Sequence, residues 1–267
     1  MASGRMEFHA DTIMQHANFA FVLPNDVSME EVRDFRYYER PPKSLILLHG
    51  LTGTDTDWLY GGVGQEMAIQ YNLAVFMPTA GNFFYLDRGY PGGNWGTYVG
   101  QELPDYIRSV FGFCDSREDT IIAGLSMGGY GALHTALAWP ERFSSCIALS
   151  SALILQEMAE GPEEADTTMP PAMIRDVFGD LSTLMTSDRN PEVQYQRLRK
   201  TGGPIPEIYL AIGREDRLYA ANQRFRTFLE GENAAFRYED GPGDHNWRFW
   251  NEYIDRGLAW VLDNKRR

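Results

Sequence analysis

Residues Gly124-Leu125-Ser126-Met127-Gly128 match the pattern G-x-S-x-G. The pattern alone recurs by chance, and its setting is what makes it informative. A mostly apolar run, residues 119–123, precedes it, and residues 127–139 carry a helical pattern that stops before Pro140. Strand, sharp turn and helix in that order hold a serine hydroxyl exposed on a strained turn. Crowding at such a turn demands small neighbours, and Gly129 and Gly131 continue the run. The serine oxygen then stands at a helix N-terminus, where backbone N–H groups favour developing negative charge. The chemistry this suits is attack of an activated hydroxyl on an acyl carbonyl. The competing reading is a glycine-rich junction with an incidental serine.

A serine hydroxyl is a weak nucleophile and needs a base. In strand–turn–helix serine enzymes the order along the chain is serine, acid, histidine. The chain has five histidines, and only His134 and His245 follow Ser126. His134 lies eight residues into the helix that Ser126 opens, so the helix carries it away. His245 lies in Gly241-Pro242-Gly243-Asp244-His245, a loop between the last strand-like run and the last helix. It is the candidate base. The acid should stand at a strand end between the two, where Glu215 and Asp216 compete. Asp216 is favoured as a strand-end Asp followed by a helix. Its role would be to hold the imidazole tautomer and stabilise the imidazolium. Asp240 and Asp244 read as solvated loop charges. An oxyanion needs two donors: the N–H of Met127 and one from residues 49–53, Leu51 first and Gly50 second. His49 reads as a structural histidine bonding the backbone of that loop.

Positioning these groups requires strands whose ends converge. Residues 7–14 and 18–23 read as an initial strand pair. Residues 43–48, 73–77, 119–123, 144–149, 207–212 and 234–239 read as buried strands. Residues 62–71, 102–110, 127–139, 219–230 and 246–262 read as helices between and after them, with Pro104 tolerated in a first turn. This alternation predicts an α/β fold with a mostly parallel central sheet and helices on both faces. The 267 residues form a single domain in this reading, without a linker-like break. Residues 153–205 exceed what a crossover needs and read as a cap-like insertion; a surface excursion is the alternative.

Composition excludes several classes. A net charge of −13 argues against nucleic acid and anionic membrane as partners. Cys114 and Cys146 cannot build a disulfide framework, and no metal-ligand spacing or His-Glu-x-x-His occurs. No apolar run reaches membrane-helix length. Residues 1–5 read as a leader ahead of Met6, without the apolar core of a signal peptide.

Together these residues resemble the esterase family of α/β-hydrolases that includes bacterial tributyrin esterases and, more distantly, esterase D (S-formylglutathione hydrolase) and mycolyltransferases. The resemblance spans about 40–263. It rests on Leu48-His49-Gly50-Leu51-Thr52-Gly53 with Trp58, Tyr85 and Asp87, Glu102-Leu103-Pro104, residues 123–131, Glu215-Asp216 with Leu218-Tyr219, and His245 with Trp247 and Trp250. Gly-Leu-Ser-Met-Gly-Gly-Tyr-Gly at 124–131 is typical of the tributyrin-esterase branch. The resemblance implies an α/β-hydrolase fold and a serine carboxylesterase acting on short-acyl esters through Ser126, His245 and Asp216. It further implies a small-molecule ester as the partner, no cofactor and no metal, a cytoplasmic location, and homo-oligomers, which are common in that branch. An S-formylglutathione-hydrolase-like thioesterase, an acyltransferase and an acetyl or feruloyl sugar-ester esterase are the alternatives. The pattern departs from the family at Phe84-Tyr85-Leu86-Asp87, at Arg217, and in the glycine-rich segment 88–95. Phe84, Tyr85 and Trp95, with Phe83, are therefore the candidate substrate-binding residues. Residues 151–174 hold five acids and no Lys or Arg. As a roof they would disfavour anionic esters.

Overall fold

A computed structural model describes all residues except 29, 31, 162–168 and 265–267. Eight strands form one sheet: β1 (Ala2–Ala10), β2 (Gln15–Leu23), β3 (Lys43–Leu48), β4 (Leu73–Pro78), β5 (Thr120–Leu125), β6 (Ser145–Leu149), β7 (Glu207–Gly213) and β8 (Phe236–Gly241), in spatial order β1-β2-β4-β3-β5-β6-β7-β8. The six strands from β3 onward run parallel, and β1 and β2 add an antiparallel edge beside β4. The helices are α1 (Asp57–Tyr60), α2 (Gly64–Gln70), α3 (Trp95–Thr97), α4 (Leu103–Phe111), α5 (Met127–Ala138), α6 (Leu155–Glu160), α7 (Pro171–Phe178), α8 (Pro191–Thr201), α9 (Tyr219–Gly231) and α10 (Trp247–Asn264).

The central strands read as continuous apolar runs because each is covered on both faces. Alternate residues enter two separate cores. Ile46, Ile122, Cys146 and Leu210 face one side with residues of α4, α5 and α9. Leu45, Ile121, Ile147 and Tyr209 face the other with residues of α2 and α10. Residues 127–137 of α5 are all buried, because α8 lies on the side of α5 that the sheet leaves open. Among the described residues no helix is long and apolar enough to cross a membrane.

Four expectations shift. The run expected as a buried strand over 234–239 is β8, an edge strand displaced to Phe236–Gly241 in which only Gly241 is buried, because one side of it has no neighbouring strand. Residues 2–5, read as a leader, belong to β1, and Arg5 bonds the buried carboxylate of Asp55 through Nη2 at 2.9 Å and through Nε. The first strand ends at Ala10, and residues 11–14 turn into β2. That turn is tied down by Glu102, whose carboxylate accepts the N–H groups of Asp11 at 2.5 Å and Thr12 at 3.0 Å. The helix expected over 102–110 begins at Trp95 as α3 and passes through a π-turn, Tyr98–Glu102, into α4. Pro104 accounts for the π-turn. Proline has no N–H, and its ring would collide with the carbonyl four residues back in a regular helix. One wider turn just before it relieves both problems. The short α1 has no counterpart in the sequence reading.

Between β6 and β7 the chain forms α6, α7, a 3₁₀ turn at Leu184–Thr186, and α8. Tyr130 of α5 donates to the Arg189 carbonyl at 2.6 Å, and Gln194 of α8 meets His134 at 3.1 Å. This segment is therefore anchored on the helix that starts at Ser126.

Close approach also explains Gly131. A methyl there would lie 2.2 Å from Tyr85, whose ring is fixed because its hydroxyl donates to the His49 carbonyl at 2.8 Å. Gly131→Ala should lower the unfolding free energy by about 2–3 kcal/mol. Urea unfolding checks this, and an unchanged midpoint would contradict the packing.

Candidate active site

The turn after β5 is set by steric crowding. Ser126 adopts φ 56°, ψ −119°, a strained conformation for a residue with a side chain. Its N–H donates to the Leu149 carbonyl at 2.8 Å. Its carbonyl accepts from Gly129, Tyr130 and Ala152 at 3.0–3.1 Å. A methyl on Gly128 would lie 2.5 Å from the Leu48 carbonyl oxygen, and one on Gly124 2.3 Å from that of Gly128. Only hydrogen fits at either position. The serine is consequently held by backbone on both sides.

His245 reaches it from the β8–α10 loop. Its Nε2 lies 3.0 Å from Ser126 Oγ, and its Nδ1 lies 2.8 Å from Asp216 Oδ2. Asp216 follows β7, and its side chain is fully buried. Burial pushes its carboxyl up. The hydrogen bonds from His245, the Leu218 N–H (2.9 Å) and Ser150 outweigh burial and hold it below the usual carboxylate range. With Asp216 ionised, Nδ1 carries a proton and Nε2 is left to accept the serine proton, an assignment made from the partners.

Several further residues brace this series, of which the sequence reading passed over Ser150. Ser150, at φ 44°, accepts from Trp250 Nε1 at 3.0 Å and also bonds Asp216. The Trp250 ring meets the His245 ring edge-on at 5.0 Å. Glu215, the rival acid, instead holds the histidine loop. Its carboxylate accepts the Gly243 N–H at 2.6 Å, and its own N–H donates to the Gly243 carbonyl at 3.1 Å. Asp240 is no solvated loop charge, because it pairs with Arg214 at 2.7 Å and accepts from Tyr219 at 3.2 Å. Asp244 accepts the His245 N–H at 2.7 Å. Resolving these partners requires the loop geometry, which no local spacing encodes.

Leu51 and Met127 line the same cavity as Ser126, and among the described residues neither backbone N–H has a hydrogen-bond partner. Neighbouring groups hold the loop around Leu51. The Gly50 carbonyl accepts from Gly53 at 3.1 Å, and the Thr52 N–H donates to Asn82 at 2.6 Å. His49 Nδ1 contacts the Gly50 carbonyl at 2.7 Å while Nε2 accepts the Ala80 N–H at 3.1 Å. Burial pushes the His49 imidazole down and keeps it neutral.

The cavity beside Ser126 holds about 210 Å³. Phe84, Met158, Met169 and Ile174 give it an apolar wall, with Glu157 and Arg217 as its charged residues. Of the three expected substrate-binding residues, Phe84 lines it and the other two do not. The Tyr85 ring is consumed by Gly131 and the His49 carbonyl. Trp95 stacks on Phe83 at 5.3 Å and packs edge-on against Tyr98 inside the core. Residues 153–205 supply Ile154, Glu157, Met158, Met169 and Ile174 to this wall, members that no sequence signal singled out. Of the five acids expected as a roof charge, Glu163, Glu164 and Asp166 lie outside the described residues. Glu157 is tied to Arg224. Arg217 has no ion pair among the described residues.

Among the described residues no three His, Cys, Asp or Glu side chains gather as metal ligands. Cys114 and Cys146 are free and buried, and burial pushes both thiols up, Cys114 to about 12. They are poor nucleophiles.

The sheet order and the sharp serine turn define a serine hydrolase of the α/β-hydrolase fold. The family model described as "Putative esterase" matches residues 12–261, and the chain belongs to that family. It is a carboxylic ester hydrolase. The acetyl esterase of Caldicellulosiruptor saccharolyticus is 38% identical over 262 residues, 98% of each chain. Among solved structures, the substrate-bound fluorophosphonate-binding serine hydrolase F of Staphylococcus aureus superimposes with a TM-score of 0.83 at 28% identity. The S-formylglutathione hydrolase of the same species does so with 0.81 at 29%. Both similarities cover 98% of each chain.

His134 turns away from Ser126 and contacts the Asp188 carbonyl at 3.1 Å. Burial pushes its imidazole down to about 4. An unfolded imidazole binds its proton near 6.5, so between those values the unfolded chain holds more protons and stability falls as pH falls. Urea unfolding should show a loss of roughly 2–4 kcal/mol from this group between pH 7 and 4. His134→Gln should flatten that slope, and an identical slope in the variant would contradict the assignment.

Proposed function

We propose that the chain hydrolyses short-acyl carboxylic esters through an acyl-enzyme on Ser126, with His245 as base and Asp216 as its partner. The observation that carries this reading is the unbroken series Asp216–His245–Ser126, at 2.8 and 3.0 Å, opening into a small apolar cavity.

In the first step Ser126 Oγ attacks the ester carbonyl carbon while His245 Nε2 takes its proton. The N–H groups of Leu51 and Met127 receive the oxyanion, in a site where no other acceptor competes for them. Collapse of the tetrahedral intermediate expels the alcohol, to which His245 returns the proton. Water then attacks the acyl-enzyme with His245 again as base, and the acid leaves with Ser126 restored. Asp216, already ionised, stabilises the imidazolium at both stages without taking its proton.

A cavity of about 210 Å³ lies below the usual range for drug-sized ligands, which supports acyl groups of two to four carbons. The acetyl esterase relative points the same way. The similarity to S-formylglutathione hydrolase favours a thioester as the second reading, since the same acyl-enzyme serves both. Acyl transfer to an alcohol differs only in what replaces water. We further propose a single domain over 1–267 in which 153–205 acts as a cap, supported by α7 and Met158 lining the cavity wall. Homo-oligomers and a cytoplasmic location complete the proposal on the strength of the family branch.

Two measurements test it. Ser126→Ala should lower kcat for 4-nitrophenyl butyrate by about 10⁵–10⁶-fold with the fold intact. Asp216→Asn should cost about 10³–10⁴-fold. Glu215→Gln should cost far less, and the reverse order would move the acid role to Glu215. Across acetate, butyrate, hexanoate and S-formylglutathione, kcat/KM should peak at the two- to four-carbon oxygen esters. A dominant thioester rate would replace the first reading with the second.

A further inference from the structure

The glycine-rich segment 88–95 takes no part in the chemistry above, yet it is tied to the cavity wall. It is a firm platform. The Asp87 carboxylate accepts the N–H and hydroxyl of Thr97 at 2.8 and 2.6 Å. The Arg88 N–H bonds the Gly93 carbonyl at 3.0 Å, and the Gly93 N–H bonds that of Tyr90 at 3.0 Å. The Arg88 side chain is 9% exposed. Its guanidinium lies 3.8 Å from the Phe83 ring centroid and 4.8 Å from that of Tyr90. The stacking leaves one edge of the guanidinium to reach Asp176 of α7, at 2.5 Å, and the Tyr90 hydroxyl meets the other oxygen of Asp176 at 3.3 Å.

Helix geometry gives this contact its consequence. Ile174 and Phe178 are four residues apart and share a face of α7, while Asp176 projects from the opposite side. Ile174 lines the cavity, and Phe178 packs edge-on at 4.9 Å against Phe84, which lines it too. Among the described residues the bonds to Arg88 and Tyr90 are the only side-chain hydrogen bonds that α7 makes. We propose that Arg88 is a specificity-determining residue: by pinning Asp176 it holds α7 in place as the end wall of the acyl pocket and so limits acyl-chain length. The proposal rests on the esterase reading. It assigns Arg88 a positioning role, with no contact to the reacting atoms.

Freeing α7 should let Ile174 and Phe178 retreat and admit a longer chain. Each extra methylene that gains burial is worth roughly fourfold in kcat/KM. Purified wild type, Arg88→Ala, Asp176→Asn and the double variant are compared on 4-nitrophenyl acetate, butyrate and hexanoate. The expected result is a hexanoate-to-acetate ratio of kcat/KM raised roughly five- to tenfold in each single variant, and no further in the double variant. A merely structural role would lower all three esters by one factor, and that unchanged ratio overturns the proposal. Independent, additive shifts in the double variant overturn it as well. If Arg88→Ala does not fold, the half-exposed Asp176→Asn decides by the same ratio. Failure of the esterase reading looks different, because wild type would then cleave none of the esters.

Discussion

The backbone crowding around Ser126 is the constraint on which the rest depends. A residue with φ 56° in a buried turn costs about 1–3 kcal/mol and persists only where its surroundings over-determine it. Here the carbonyls of Leu48 and His49 lie within 2.6 Å of where a side chain on Gly128 would begin. The start of α5 is thus pressed onto the end of β3. That one contact sets the serine beside the loop bearing Leu51, because the loop is the direct continuation of β3. Ser126 and both candidate oxyanion donors are therefore positioned by a single packing event between two parallel strands and one helix.

Charge is organised around the same point. Asp216 is buried yet ionised because three donors surround it, and each is itself fixed. Ser150 is held in a left-handed conformation with the Trp250 indole bonded to its hydroxyl. The Leu218 N–H belongs to the turn entering α9. His245 is oriented by Asp216 on one nitrogen and steadied by Trp250 at its ring, while Glu215 grips the loop two residues earlier. Removing solvent from this series strengthens each bond and makes any unpaired member costly. The two buried histidines, His49 and His134, are kept neutral by burial and serve as hydrogen-bonding struts.

Much of this was legible in the residues themselves. Ser126 and His245 followed from motif, chain order and elimination, Asp216 was favoured over Glu215 as a strand-end Asp followed by a helix, and β3 to β7 followed from apolar runs, because burial on both faces leaves a strong local signature; the edge strand β8, with its Arg, Glu and Asp, leaves a weaker one. What escaped was whatever depends on contacts distant in sequence. The exchange of Glu215 from rival acid to loop clamp depends on Gly243, 28 residues away. Tyr85 and Trp95 looked like pocket aromatics, but aromatic residues are as suited to a core as to a site. The helix start at Trp95 was hidden by glycines and by Pro104, whose accommodation needs a π-turn that no periodicity reports. One part of the cavity wall comes from a long insertion, and the Met and Ile residues it contributes carry no local signal that marks them as facing a site rather than a core.

The central claim is that Ser126 alone forms the covalent intermediate. The most direct measurement is intact-mass analysis and peptide mapping of the protein after reaction with a fluorophosphonate. The account predicts one adduct per chain, on the peptide containing Ser126, and its loss when a short-chain ester is present in excess. An adduct on any other residue, or none on a folded and active protein, would contradict it.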